Sequence, residues 1–234
     1  MGGWGPLAEP ALWGFLAGGL WLTVQVAAVA GALSLVGGVL LALARLSPRR
    51  VLSLPAGVYV EIMRALPVFL IILYTFLAAP RLGISLDPVP AAIVALTLYT
   101  SAVLAEIVRA GIHSLPRGQA DAARALGLSY RQSLRFVILP QALRLMTPAM
   151  ISQLITLTKD TSLASVIGVN ELARRAGIIY NTYFNPVETL LVVGAIYFAL
   201  CSSLSGLSRR LEPRDAAATA VSIGEEDQVR VARG

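Results

Sequence analysis

"QADAARALGLSYRQSLRFVILPQALR", Gln119–Arg144, separates two long apolar stretches and resembles neither. Its hydrophobic residues recur at helical spacing, interleaved with arginines, and no run is long enough to cross a bilayer. Pro116 and Gly118 mark a turn before it. "ADAARAL" has high helix propensity, and Asp121 is expected in a first helical turn, where a negative charge suits the helix dipole. Gly127 stands where a terminal glycine closes such a helix. Ser129 and Gln132 match a capping box that opens a second one, which runs to Pro140, where a bend or restart is expected. The unit is therefore helix, glycine corner, helix. Its small face (Ala122, Ala123) and its leucines (Leu126, Leu128) suit docking into a groove of another protein. The same pattern also suits an amphipathic helix lying on lipid headgroups.

The rest of the chain explains why so basic a segment is flanked by grease. Of 234 residues, 56% are hydrophobic and 14% charged, and the mean hydropathy is +0.73. Soluble domains carry about 25% charge. Five spans are expected, near Trp21–Ala44, Leu54–Leu77, Val89–Arg109, Ala142–Ile167 and Val187–Leu207, each about 20 residues or more, as a hydrocarbon core of about 30 Å requires. Trp4, Trp13 and Trp21 precede or open the first span, as an interfacial belt does. The N-terminus lacks a basic region and a small-residue cleavage site, so no removable signal peptide is expected. With the N-terminus outside, inner segments carry fourteen arginines and outer ones only Arg81, Arg174 and Arg175. That bias fits an N-out, C-in topology with Gln119–Arg144 in the cytoplasm. Residues 1–20 are then extracytoplasmic, residues 21–211 form the membrane domain with a cytoplasmic segment at 116–140, and residues 212–234 read as a disordered tail.

Composition excludes several chemistries. One cysteine, Cys201, allows no intrachain disulfide, and one histidine, His113, allows no two-histidine metal site. The only lysine, Lys159, follows Thr158, so the Gly-Lys-Ser/Thr of a phosphate-binding loop is absent. No cofactor or metal is expected, and the chain is not read as an enzyme. The net charge of +6 sits at span ends, which argues for lipid rather than nucleic acid.

Polar residues within spans are costly and therefore candidates for function. Glu61 and Arg64 fall near the midplane by a rise of about 1.5 Å per residue. They suit either a mutually neutralising pair or substrate contact. Thr100 and Ser101 can serve substrate or a neighbouring helix. Thr158, Lys159, Asp160, Thr161 and Ser162 form the most polar run in any span, expected to line a cavity or a subunit interface. Glu106 and Arg109 read as an ion pair near the cytoplasmic face.

These residues together resemble the membrane subunits of type I ABC importers, in particular the polar amino acid permease family. That family carries a cytoplasmic motif E-A-A, three residues, G, nine residues, I-x-L-P. Here it reads Asp121-Ala122-Ala123, Gly127, then Val137-Ile138-Leu139-Pro140, with Asp for Glu and Val for Ile. "MRALP", "ALTLYTSAVLAEIVRAGI", "ILPQALR" and "KDTSLASVIGVNEL" extend the resemblance over roughly residues 15–211. The resemblance implies an all-α membrane fold of five transmembrane helices. It also implies a permease role in ATP-driven import of a polar amino acid across the bacterial inner membrane. Implied partners are an ABC ATPase dimer docked on Gly118, Asp121–Ala123 and Leu126–Leu128, a second permease subunit, and an extracytoplasmic solute-binding protein that meets Asn170–Tyr183. The reading from a different class is an ATP-independent channel or ion-coupled carrier using Glu61, Arg64 and Asp160 as a relay. It leaves the helix-glycine-helix unit without a role.

Overall fold

The computed structural model describes residues 3–211 and is all helical there. The disordered-tail expectation for residues 212–234 falls outside the described residues. A first helix, α1, runs Pro10–Arg45. Then come α2, Arg50–Ala65, and α3, Val68–Ala78. The long α4 is Pro88–Ser114, followed by α5, Arg117–Ala125, and α6, Tyr130–Ser133. A π-helical segment, Leu134–Ile138, leads into α7, Leu139–Asp160. A 3₁₀ stretch, Thr161–Ile167, precedes α8, Leu172–Tyr183, and α9, Pro186–Leu211. Four of these stretches are each long and apolar enough to cross a membrane, and the α2–α3 pair makes a fifth if taken as one bent span.

One expectation about the spans needs correction. The first helix starts eleven residues before Trp21 and so extends beyond the expected first span; Pro10, in its first turn, loses no needed hydrogen bond. The second span is not one rod. It breaks by 108° between Ala65 and Val68. Pro67 biases Leu66 away from helix (φ −89°, ψ 140°), and Pro67 itself serves as the N-cap of α3.

Helix α4 is the hub. Ala91, Ala92, Ala95, Leu96, Ala102, Leu104, Ala105 and Val108 are fully buried in it. It packs on α1, α2, α3 and α7. Its closest neighbour is α1, because α1 presents glycines there. A Cβ on Gly38 would lie 2.6 Å from Leu104 Cβ and 3.2 Å from the Ser101 carbonyl. Backbone cannot yield as a flexible side-chain tip can, so Gly38→Val should cost about 2–3 kcal/mol as an overpacked contact. A thermal melt of the detergent-solubilised protein checks this, and an unchanged midpoint would refute the tight α1–α4 seam.

A separate cluster sits at the other end of α1. Leu16, Leu172, Ala176, Ile179 and Val193 are buried together, with Leu12, Phe15, Tyr183 and Ile196 around them. The first third of α1, all of α8 and the first half of α9 thus form a small three-helix tier, away from the cluster of Ala42, Val60, Ala105 and Val108 near the Arg45 end.

Candidate functional site

Three groups of polar residues stand out once the fold is in place: the α5–α6 corner, a carboxylate cluster around Glu106, and a buried carboxylate at Glu171.

The corner closes as its sequence dictates. The Gly127 amide donates to Arg124 O (2.9 Å) and the Leu128 amide to Ala123 O (3.1 Å), which satisfies the last carbonyls of α5. Gly127 has φ +78°, and nothing lies within 4 Å of a Cβ built on it. Its need for glycine is conformational and not steric. Ser129 and Gln132 form the reciprocal capping box, at 3.4 and 2.9 Å. Gln119 and Gln141 join α5 to α7 at 3.1 Å. Ala123 is buried, whereas Gly118, Asp121, Ala122 and Leu126 face outward and Leu128 is half-buried; Leu126 is 81% exposed. One expectation is corrected here. Helix α5 begins at Arg117, which makes Asp121 its fifth residue, and no acid lies in the first turn. Its carboxylate pairs with Arg124 instead. The break expected at Pro140 is realised upstream as the π-helical turns, which absorb the amide that proline lacks.

The second group gathers three elements. Glu106 of α4 accepts from Arg45, the last residue of α1, and from Arg109. Arg64, in the last turn of α2, lies 3.8 Å away. Glu61 approaches Arg45 at 4.0 Å. The mutual Glu61–Arg64 pair is therefore not formed. The Glu106–Arg109 pair is present as read from sequence.

The remaining span candidates divide by environment. Thr100 is fully buried and Ser101 nearly so, with the Ser101 hydroxyl against Gly37 of α1. The geometry gives them helix contacts rather than an open path, and the Thr97 and Thr100 hydroxyls lack partners. The Thr158, Thr161 and Ser162 hydroxyls each return to a carbonyl of their own chain three or four residues back. That leaves the charged heads: Lys159 is exposed, Asp160 half-buried, and among the described residues neither forms an ion pair within 4 Å.

Glu171 was not singled out in the sequence. It is fully buried as the N-cap of α8. Its oxygens accept from the amides of Arg174 (2.7 Å) and Ala173 (2.9 Å), from the Tyr197 hydroxyl of α9 (3.0 Å), and from Thr23 of α1 at 3.5 Å. Thr23 in turn accepts from the Leu172 amide at 3.2 Å. Among the described residues no cation lies within ion-pair distance of it. Burial pushes its pKa up, and these donors pull the other way. The only signal available in the sequence was an acid placed one residue before a helical stretch. Nearby, Arg175 lies across Gly18 and Gly19, stacks on Phe15 at 4.8 Å and donates to Phe15 O at 2.6 Å.

Residues 34–215 match the model of a family described as "binding-protein-dependent transport system inner membrane component". The chain is 46% identical over 205 residues to a probable glutamine ABC transporter permease of Bacillus subtilis (strain 168), covering 86% of this chain and 93% of that one. It is 34% identical over 199 residues to an arginine transport system permease of the same organism, covering 85% and 91%. A crystal structure of an amino acid ABC transporter with histidines superposes with a TM-score of 0.79 at 31% identity, over 85% of this chain and 92% of that one.

Proposed function

The chain belongs to the family of binding-protein-dependent transport system inner membrane components, and within it to the amino acid ABC permeases; from that premise we propose how its parts divide the work of import. It is a multi-pass permease subunit of an ABC importer. The substrate is a polar amino acid, and the membrane is the bacterial inner membrane with the N-terminus outside. Hydrolysis of ATP belongs to a separate ATPase pair that docks on the α5 corner. A second permease subunit completes the path, and a solute-binding protein delivers substrate to the α8 side.

One observation carries this reading: an exposed helix that is cornered at its C-terminal end and set between two spans. The Gly127 turn and the Ser129–Gln132 box fix its direction, and the Gln119–Gln141 contact ties it to α7. Leu126 is left projecting with no apolar cover of its own, as a side chain meant for a partner's groove would be. A helix built this way moves α4 and α7 together when its partner moves. The channel or ion-coupled reading gives such a corner nothing to do.

An amino acid offers an ammonium and a carboxylate at once. Lys159 and Asp160, adjacent and of opposite sign, complement that pair, and Glu61 and Arg64 are the other charged candidates along the path. The hydroxyls of Thr100, Ser101, Thr161 and Ser162 are secondary candidates, since packing or their own backbone engages them.

Proteoliposomes that hold the permease, its ATPase and its binding protein should take up amino acid only with ATP inside or at the ATPase face. Uptake driven by an ion gradient alone would sink the proposal. Gly127→Leu forces a side chain into the left-handed region at a cost of about 1–2 kcal/mol, with no clash to add. The complex should assemble and hydrolyse ATP, yet import several-fold more slowly. Asp121→Arg places two like charges where a pair now stands. Co-purification of the ATPase should weaken, more so in salt if the contact is exposed. Full retention with normal uptake would return α5 to the headgroup reading.

A further inference from the structure

The described arginines near the Arg45 end of the protein are unevenly matched. Arg45, Arg64 and Arg109 share Glu106, and Arg124 has Asp121. Arg49 and Arg131 have no ion-pair partner among the described residues. Both line one pocket of about 310 Å³, together with Leu43, Ser47, Pro48, Leu52, Tyr130 and Leu134. No acid contributes to its wall.

The pocket is amphipathic in a telling way. Leu43 belongs to the last turn of α1 and Leu52 to the first of α2, so the cavity straddles the level where the spans end. Leu52 and Val51 are themselves exposed, as lipid-facing residues are. Tyr130 is held as a wall by its hydroxyl, which donates to Leu46 O at 3.0 Å. The Arg49 amide donates to Ser47 Oγ at 3.2 Å, which ties the turn that carries it. Two arginines and three leucines around one pocket match a phosphate with hydrocarbon attached. A free phosphate would leave the leucines without a role.

We propose that this pocket binds the headgroup of an anionic phospholipid, the Arg49 and Arg131 guanidiniums meeting its phosphate and Leu43, Leu52 and Leu134 its acyl chains. The α1–α2 turn and the first turn of α6 would then be bridged by one lipid. Because α6 follows the Gly127 corner directly, an occupied pocket pins the coupling segment against the membrane. The lipid's assignment to the inner leaflet rests on the orientation proposed above; the binding itself does not.

The test uses the purified permease–ATPase complex in nanodiscs of phosphatidylcholine with or without phosphatidylglycerol. Retained lipid is read by native mass spectrometry after mild extraction. Wild type should retain phosphatidylglycerol over phosphatidylcholine. Arg49→Gln with Arg131→Gln should lose about thirtyfold of that preference, at roughly fivefold per arginine near an anionic surface. Arg50→Gln, next in sequence but outside the pocket, should keep it. Equal preference in the double variant, equal loss in the Arg50 variant, or displacement of the lipid by inorganic phosphate would each overturn the site. So would loss of the ATPase with the lipid retained, which would make the patch a protein contact. Retention is measured without turnover, so a failed lipid site leaves ATP-driven uptake untouched, and a failed import reading leaves lipid retention untouched.

Discussion

Glu171→Ala should be among the most damaging single substitutions in this protein, although the residue lies at no expected site. It removes an N-cap and takes the acceptor from the buried Thr23 hydroxyl, the part-buried Tyr197 hydroxyl and two part-buried amides. The cap alone is worth about 1 kcal/mol, and each buried donor left unmatched costs about 1–3 kcal/mol. A loss of about 3–5 kcal/mol is expected in total, concentrated in the tier formed by α8 and the ends of α1 and α9. Glu171→Gln keeps the shape but turns one acceptor into a donor that faces donors, and should recover only part. Tyr197→Phe leaves the carboxylate with its other partners and should cost about 1 kcal/mol. Thermal unfolding of the solubilised protein ranks the three. If Glu171→Ala melts like wild type, the network does not hold the tier.

Glu106→Leu is expected to be comparably severe at the opposite end. One carboxylate there neutralises the terminal arginine of α1 and Arg109, with Arg64 close by. The Arg45 and Glu106 side chains are only 16% and 22% exposed, so water screens them weakly. Removing the acid leaves cations facing one another, at a cost of about 3 kcal/mol, the lower edge of what a broken buried pair costs. Arg64→Gln, by contrast, acts on a half-exposed group at 3.8 Å and should stay within about 0.5 kcal/mol. Yield and melting temperature in detergent separate these outcomes. A double variant, Glu106→Leu with Arg45→Leu, should regain much of the loss, since it leaves fewer charges unmatched. Failure to regain any would mean that Glu106 acts other than through Arg45.

Local chemistry was legible in the sequence, and long-range geometry was not. The Gly127 corner and the Ser129–Gln132 box depend on residues within a few positions of one another, and both form as spelled. Span number follows from apolar length and charge placement, which are also local. The Glu106 cluster depends on residues 61 positions apart, Arg45 and Glu106, and the nearest-neighbour rule that suggested Glu61 with Arg64 had no access to α4. Glu171 escaped because burial, not identity, makes it matter: its partners come from positions 23 and 197. The early start of α1 escaped because hydropathy does not distinguish an apolar face turned to lipid from one turned to α8 and α9. The break at Leu66 was visible in principle in Pro67, but a helix-length count passed straight over it.

That break carries a demand of its own. Helix α2 stops at Ala65 and α3 starts at Val68, so the carbonyls that end the one and the amides that begin the other have no helical partners. Arg64, Ala65, Leu66 and Pro67 all lie at the surface of the single chain. Hydrocarbon solvates a bare peptide group at a penalty of several kcal/mol, so acyl chains cannot be what touches this edge at rest. Either another polypeptide or a column of water must. The bend therefore marks the flank on which the bilayer has to give way, and a chain isolated in lipid would be driven to hide that flank. Amide exchange at Val68 and Phe69 should accordingly be fast in the lone chain and slow where a neighbour seals it.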